Sequence, residues 1–134
     1  MRITAPKSRT LLLLVGILAA LSVRAECRYP VADGGEPHPS APNVVGTVTK
    51  VEANRIVLHT KAGSAAIRPP VAGIYYTAFG GDDRVGSLKP GLVARAWYVD
   101  CKSPKGKEMP AVAYLEVYSS DPKDRPPPSY WKRY

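Results

Sequence analysis

Residues 44–60 read VVGTVTKVEANRIVLHT, and this stretch decides the fold. Residues 44–52 are rich in Val and Thr, whose branched side chains suit a pleated, half-buried surface. Ala53-Asn54 supplies a turn, and residues 55–60 return with Ile56 and Leu58 on one face and Val57 and His59 on the other. The pattern predicts an antiparallel hairpin. Working outward, Lys61-Ala62-Gly63-Ser64 is a second turn and residues 65–68 a short third strand, ended by Pro69-Pro70 because neither proline can donate to a ladder. Ser87-Leu88-Lys89-Pro90-Gly91 is a turn in which Pro90 fixes φ and Gly91 permits a positive φ; it launches the longest predicted strand, residues 92–101. Residues 103–107 turn the chain again, and residues 111–118 form the last strand. Ile74-Tyr75-Tyr76-Thr77 reads equally as a short strand or as part of a long connection. No segment sustains an apolar period of 3.6 residues, so helix is expected to be scarce. Five short strands in residues 44–118 need a small closed or nearly closed barrel to hide their edges, which makes the fold all-β.

The flanks read differently. Arg2, Lys7 and Arg9 precede an apolar run of eleven residues, 11–21, and Val23-Arg24-Ala25 ends it with small residues at the positions read by signal peptidase. Residues 1–25 are expected to be an export signal, with Glu26 the first mature residue. The run is well short of the roughly 20 residues that cross a bilayer, so no permanent membrane span is expected in the mature chain. Residues 26–43 carry Pro30, Gly34, Gly35, Pro37, Pro39 and Pro42, which exclude regular ladders and predict an extended leader. Residues 119–134 form a tail in which Pro126-Pro127-Pro128 favours polyproline II, expected to be flexible and outside the core.

Removing residues 1–25 from 134 leaves 109, enough for one domain and too few for a deep enclosed substrate cavity. It also removes four of the 19 basic residues and none of the 11 acidic ones, so the net charge falls from +8 to +4. That mild charge argues against a nucleic-acid partner, as does export. The only two cysteines, Cys27 and Cys101, both survive cleavage, and in an oxidising compartment they are expected to pair. A bond closing so long a loop would contribute up to roughly 4 kcal/mol on the chain-entropy model. A lipid on Cys27 is disfavoured, because Arg24-Ala25-Glu26 stands where a lipoprotein signal has small and apolar residues. The localisation expected is periplasmic or secreted.

Gly46, Val48 and Val51, then Ile56 and Leu58, then Leu88-Lys89-Pro90-Gly91 and a closing Ala113, Leu115 and Val117 resemble the layout of small exported bacterial domains of the OB-like type. The resemblance covers residues 44–117 and implies a five-stranded OB-like barrel. One family with that layout, the periplasmic copper chaperone of silver and copper efflux systems, binds copper through a histidine, two methionines and a tryptophan. His59 falls one position from that family's histidine, but Ala65-Ala66-Ile67-Arg68-Pro69-Pro70 holds no methionine, and Met109, the only one after residue 25, lies in a distant turn. Without thioether ligands Cu(I) has nothing to select it, so no metal and no cofactor are expected.

Asp82 and Asp83 follow two glycines but lack the six or so oxygens of a Ca²⁺ loop, so a solvated turn is the simpler reading. With two histidines, one of them His38 in the leader, and no G-x-S-x-G or H-E-x-x-H, no nucleophile–base arrangement is specified and no enzyme activity is expected. The remaining candidate is a surface. If Ala94 and Ala96 face inward opposite Ala113, Leu115 and Val117, alternation sends Arg95, Trp97 and Val99 outward beside Tyr114, Glu116 and Tyr118. Arg95, Trp97, Tyr114 and Tyr118 are the candidate binding residues, since aromatic faces of OB barrels stack on sugars or bases. A rival reading has the stronger argument: Cys101 shares the parity of Trp97, so a bond from Cys27 would draw the leader over this same surface. The expected function is a non-catalytic binding domain for a protein or an envelope polymer. The alternatives are a structural accessory subunit of an envelope assembly, docked by its tail, and a small hydrolase or enzyme inhibitor.

Overall fold

The computed structural model describes residues 26–30, 39–77, 81–121 and 123. Residues 1–25, expected to be an export signal, lie outside the described residues, as do residues 31–38 of the leader, with His38, and residues 122 and 124–134 of the tail. The fold is all-β, with strands β1 (Val44–Glu52), β2 (Arg55–Thr60), β3 (Gly63–Ile67), β4 (Ile74–Thr77), β5 (Asp82–Arg84), β6 (Val93–Tyr98) and β7 (Val112–Tyr118). Helix among the described residues is limited to two three-residue 3₁₀ turns, Val85–Ser87 and Val99–Cys101. None of the described helices could span a membrane.

The hairpin forms as its alternation predicts, with Val48 opposite Leu58 and Val51 opposite Ile56. A bulge at Thr49 lies between those pairs and brings Val48 and Val51 to the same inner side, three residues apart instead of two. Gly46 is required here for space: a Cβ would stand 2.6 Å from the His59 carbonyl oxygen of β2. The turn at residues 87–91 docks on the same bulge. Gly91, at φ 93°, donates its N–H to the Val48 carbonyl at 2.8 Å, and the Val48 N–H donates to Leu92 at 2.8 Å.

The structure departs from the sequence reading at several points. Among the described residues the sheet has seven strands in the order β3-β2-β1-β6-β7-β4-β5, two more than the five expected, and it is not closed. The additional strands come from the stretch whose pattern was too short to read. After Pro69-Pro70 the chain leaves the sheet for a few residues, turns with the Gly73 N–H donating to Pro70 at 2.8 Å, and rejoins as β4, parallel to β7. Asp82 and Asp83, read as a solvated turn, form β5 and pair with Tyr76 and Tyr75 while staying exposed. The bridge between Arg68 and Ala111 lies on the same edge of β7 as β4.

A further departure concerns Ala113. A register shift places Trp97 opposite Tyr114 but Tyr98 opposite Val112, so Ala113 is the extra residue of a bulge and is exposed. Val112 takes its place in the core. The predicted strand over residues 92–101 stops at Tyr98, because Asp100 and Cys101 adopt φ of 56° and 53° and curl the chain out of the ladder. The core is otherwise the inner set that alternation assigns: Val48, Ile56, Leu58, Ala94, Ala96 and Leu115, closed by Ile67, Tyr75 and Leu88.

Candidate functional site

Opposite the core, the outer side of β6 and β7 carries the four candidate residues, and the register brings them together. Val45 of β1, Arg95 of β6, Glu116 of β7 and Tyr76 of β4 form one rank across four strands. Trp97 and Tyr114 form the next rank on one side, and Val93 and Tyr118 on the other. Within this lattice Arg95 Nη2 donates to Glu116 Oε1, and the Arg95 guanidinium carbon lies 5.2 Å from the Tyr118 ring centroid. Tyr114 stacks on Tyr76 at 4.6 Å with an interplanar angle of 8°, and meets Trp97 edge-on at 5.6 Å. Side chains on adjacent strands in direct register are close enough for such contacts, which is why the cluster assembles without a long loop.

The centre of this cluster does not face solvent, while Tyr76 and Tyr118 at its margins are half-buried. Trp97 is 0 % exposed, Arg95 2 %, Glu116 1 % and Tyr114 9 %. Burying two charges is tolerable only because they are paired, since an unpartnered ion in such a place is costly to desolvate. The leader supplies part of the cover. Trp97 Nε1 donates to the Ser40 carbonyl at 2.6 Å, which satisfies the one polar atom of a buried indole.

What holds the leader there is a covalent and hydrogen-bonded clamp at the end of β6. Cys27 and Cys101 are joined, with Cα atoms 5.5 Å apart. Tyr29 Oη accepts the Asp100 N–H at 2.8 Å and donates to the Tyr98 carbonyl at 3.3 Å, so one hydroxyl serves two groups of the curled segment. The Asn43 side chain accepts the Tyr98 N–H at 2.9 Å and donates to the Cys101 carbonyl at 3.0 Å. The Tyr98 phenol itself is held above its ordinary pKa by burial.

Sequence reasoning missed Tyr76, whose place beside Glu116 depends on β4, a strand the sequence left undecided. It also missed the roles of Tyr29 and Asn43, although Tyr29, the one aromatic residue of the leader and two positions from Cys27, was a signal to follow.

The uncovered part of the outer surface lies over β1 and β2. A groove of about 750 Å³ runs there between Val45, Thr47 and Val93, with His59 and Lys61 on its rim. Val45 is 44 % exposed, unlike Arg95 beside it in the same rank. His59 stands exposed between Thr47 and Ser64. Among the described residues, no group of three or more His, Cys, Asp or Glu side chains could hold a metal ion. Comparison with known proteins returns no match: no family model, no curated protein and no solved structure matches this chain.

Proposed function

We propose that this protein is an exported, non-catalytic binding domain of the OB-like type, and that its ligand is a protein or a polymer of the cell envelope. The strand order β3-β2-β1-β6-β7, with the parallel bridge from Arg68 to Ala111, supports the OB-like reading, since that fold is a five-stranded, partly open Greek-key barrel. In this reading β4 and β5 are an added hairpin on the last strand. The Cys27–Cys101 bond, together with the export signal expected at residues 1–25, supports an oxidising compartment.

The observation that carries the binding reading is the contrast between the two parts of the outer sheet surface. The leader is clamped at the end of β6 and reaches Trp97, whereas the groove beside it is open, with an apolar floor at Val45 and Val93 and a polar rim at His59 and Lys61. OB barrels carry ligands on the face of their second and third strands, which here adjoins this groove. Recognition accordingly shifts from Arg95, Trp97, Tyr114 and Tyr118 to the surface next to them.

Capture from an envelope extract on the immobilised oxidised protein tests this. A ligand should be retained by the wild type and lost by Val45→Asp, a change at an exposed position that leaves the core alone. Protease or glycan-hydrolase treatment of the eluate then separates protein from polymer. Retention undiminished by Val45→Asp would overturn the assignment of the groove.

A further inference from the structure

The two ends of the sheet are finished differently. β5 is three residues long, Asp82-Asp83-Arg84, all exposed, and so short and charged an edge discourages another strand. β3 (Gly63–Ile67) has none of these devices: no proline, no charge and no bulge interrupts Gly63-Ser64-Ala65-Ala66-Ile67. All five of its residues pair with β2 on one side. On the other side, its backbone contact among the described residues comes one position later, where the Arg68 N–H donates to the Pro110 carbonyl at 2.9 Å. In a ladder the main-chain groups of alternate residues point to the same side. Since the Arg68 N–H points away from β2, those of Ala66 and Ser64 do too, and each brings a carbonyl with it. The edge thus presents two donors and two acceptors in register. Its outward side chains are small, with Ser64 and Ala66 opposite His59 and Val57 of β2.

The charge around this edge is predominantly positive. Lys61 and Arg68 stand exposed at its two ends. The loop of residues 102–110, which reaches the edge through Pro110, exposes Lys102, Lys105 and Lys107 against the single acid Glu108. A second copy of this chain fits poorly. Antiparallel pairing of β3 with itself about Ala65 would set Lys61 of each copy opposite Pro69 of the other and Arg68 opposite Ala62, so the basic ends of the two edges would crowd together and repel.

Resting on the reading of this chain as a binding domain, we infer that the β3 edge receives an extended, acidic segment of a partner protein as an added strand. Main-chain bonds to Ser64 and Ala66 hold it, its alternate apolar side chains turn toward the core side of the sheet, and its carboxylates meet Lys61 and Arg68. Strand addition of this kind draws affinity from the backbone and specificity from alternate side chains.

The test uses a fluorescein-labelled peptide of alternating valine and threonine with two glutamates at each end, and a second peptide with lysines replacing the glutamates. The oxidised protein should bind the acidic peptide at least tenfold more tightly than the basic one by anisotropy. The amides of Ser64 and Ala66 should gain at least tenfold protection from hydrogen exchange in the complex. Ala66→Pro removes an outward donor and no bond to β2, and should weaken binding at least tenfold. Lys61→Glu with Arg68→Glu, both at exposed side chains, should invert the peptide preference and decides the matter even if the proline variant does not fold. Failure of the acidic peptide to bind, protection mapped away from β3, an unchanged preference in the charge-reversed protein, or protection that rises with protein concentration in the absence of peptide would each overturn the inference. If extract capture that depends on Val45 survives such a result, the binding-domain reading stands and the edge assignment alone falls.

Discussion

Trp97 sits on the side of β6 that faces away from the core, yet it is fully buried and its indole N–H is taken by Ser40. Replacing it by Ala should cost about 3 kcal/mol or more, as large-to-small changes in packed sites do, measured by denaturant midpoint on the oxidised protein. Phe should recover most of that loss and leave the Ser40 carbonyl without its donor, a deficit of about 1 kcal/mol. Arg95 and Glu116 behave as a unit. Arg95→Met alone should destabilise by about 3–5 kcal/mol, because it strands a buried carboxylate, whereas Arg95→Met with Glu116→Leu should cost far less. A double-mutant cycle checks this, and equal, additive losses would show that the pair is not coupled.

The elements differ in how far the sequence announces them. The β1–β2 hairpin was legible because Ile56 and Leu58 alternate cleanly with Val57 and His59 behind a two-residue turn, so local pattern and tertiary pairing agree. β4 was not, since four residues carry little pattern and their pairing with Glu116 and Val117 lies some forty positions along the chain. The bulges at Thr49 and Ala113 escaped for a related reason: an extra residue is defined only against its partner strand, and single-sequence alternation assumes there is none. Arg95, Trp97, Tyr114 and Tyr118 were correctly gathered on one face because their parity does not depend on either bulge. Whether that face is wet or covered depended on the leader, whose prolines say only that it is extended. At this scale Gly46 offers a direct check on the fit of β1 against β2. Gly46→Ala drives a methyl against the His59 carbonyl and should cost about 1–3 kcal/mol, read from thermal or denaturant unfolding.

For the whole molecule the Cys27–Cys101 bond is the long-range tie, spanning a separation of 74 residues. Reducing it should lower stability by up to about 4 kcal/mol on the chain-entropy model, and in a Trp131→Phe background, where Trp97 is the sole tryptophan, emission should shift to the red as Ser40 leaves the indole. An unchanged spectrum after reduction would mean that the hydrogen bonds of Tyr29 and Asn43 hold the leader by themselves. The same bond also sets how the protein carries tension. A pull applied between residue 26 and residue 119 passes across the sulfur bridge and on through residues 102–110 and β7, so β1 to β6 lie outside the line of force. The chain held in reserve would stretch to about 250 Å if freed. Oxidised, the domain is a short tether with β1 to β6 hung beside the load; reduced, it becomes a long one that must unravel to bear it.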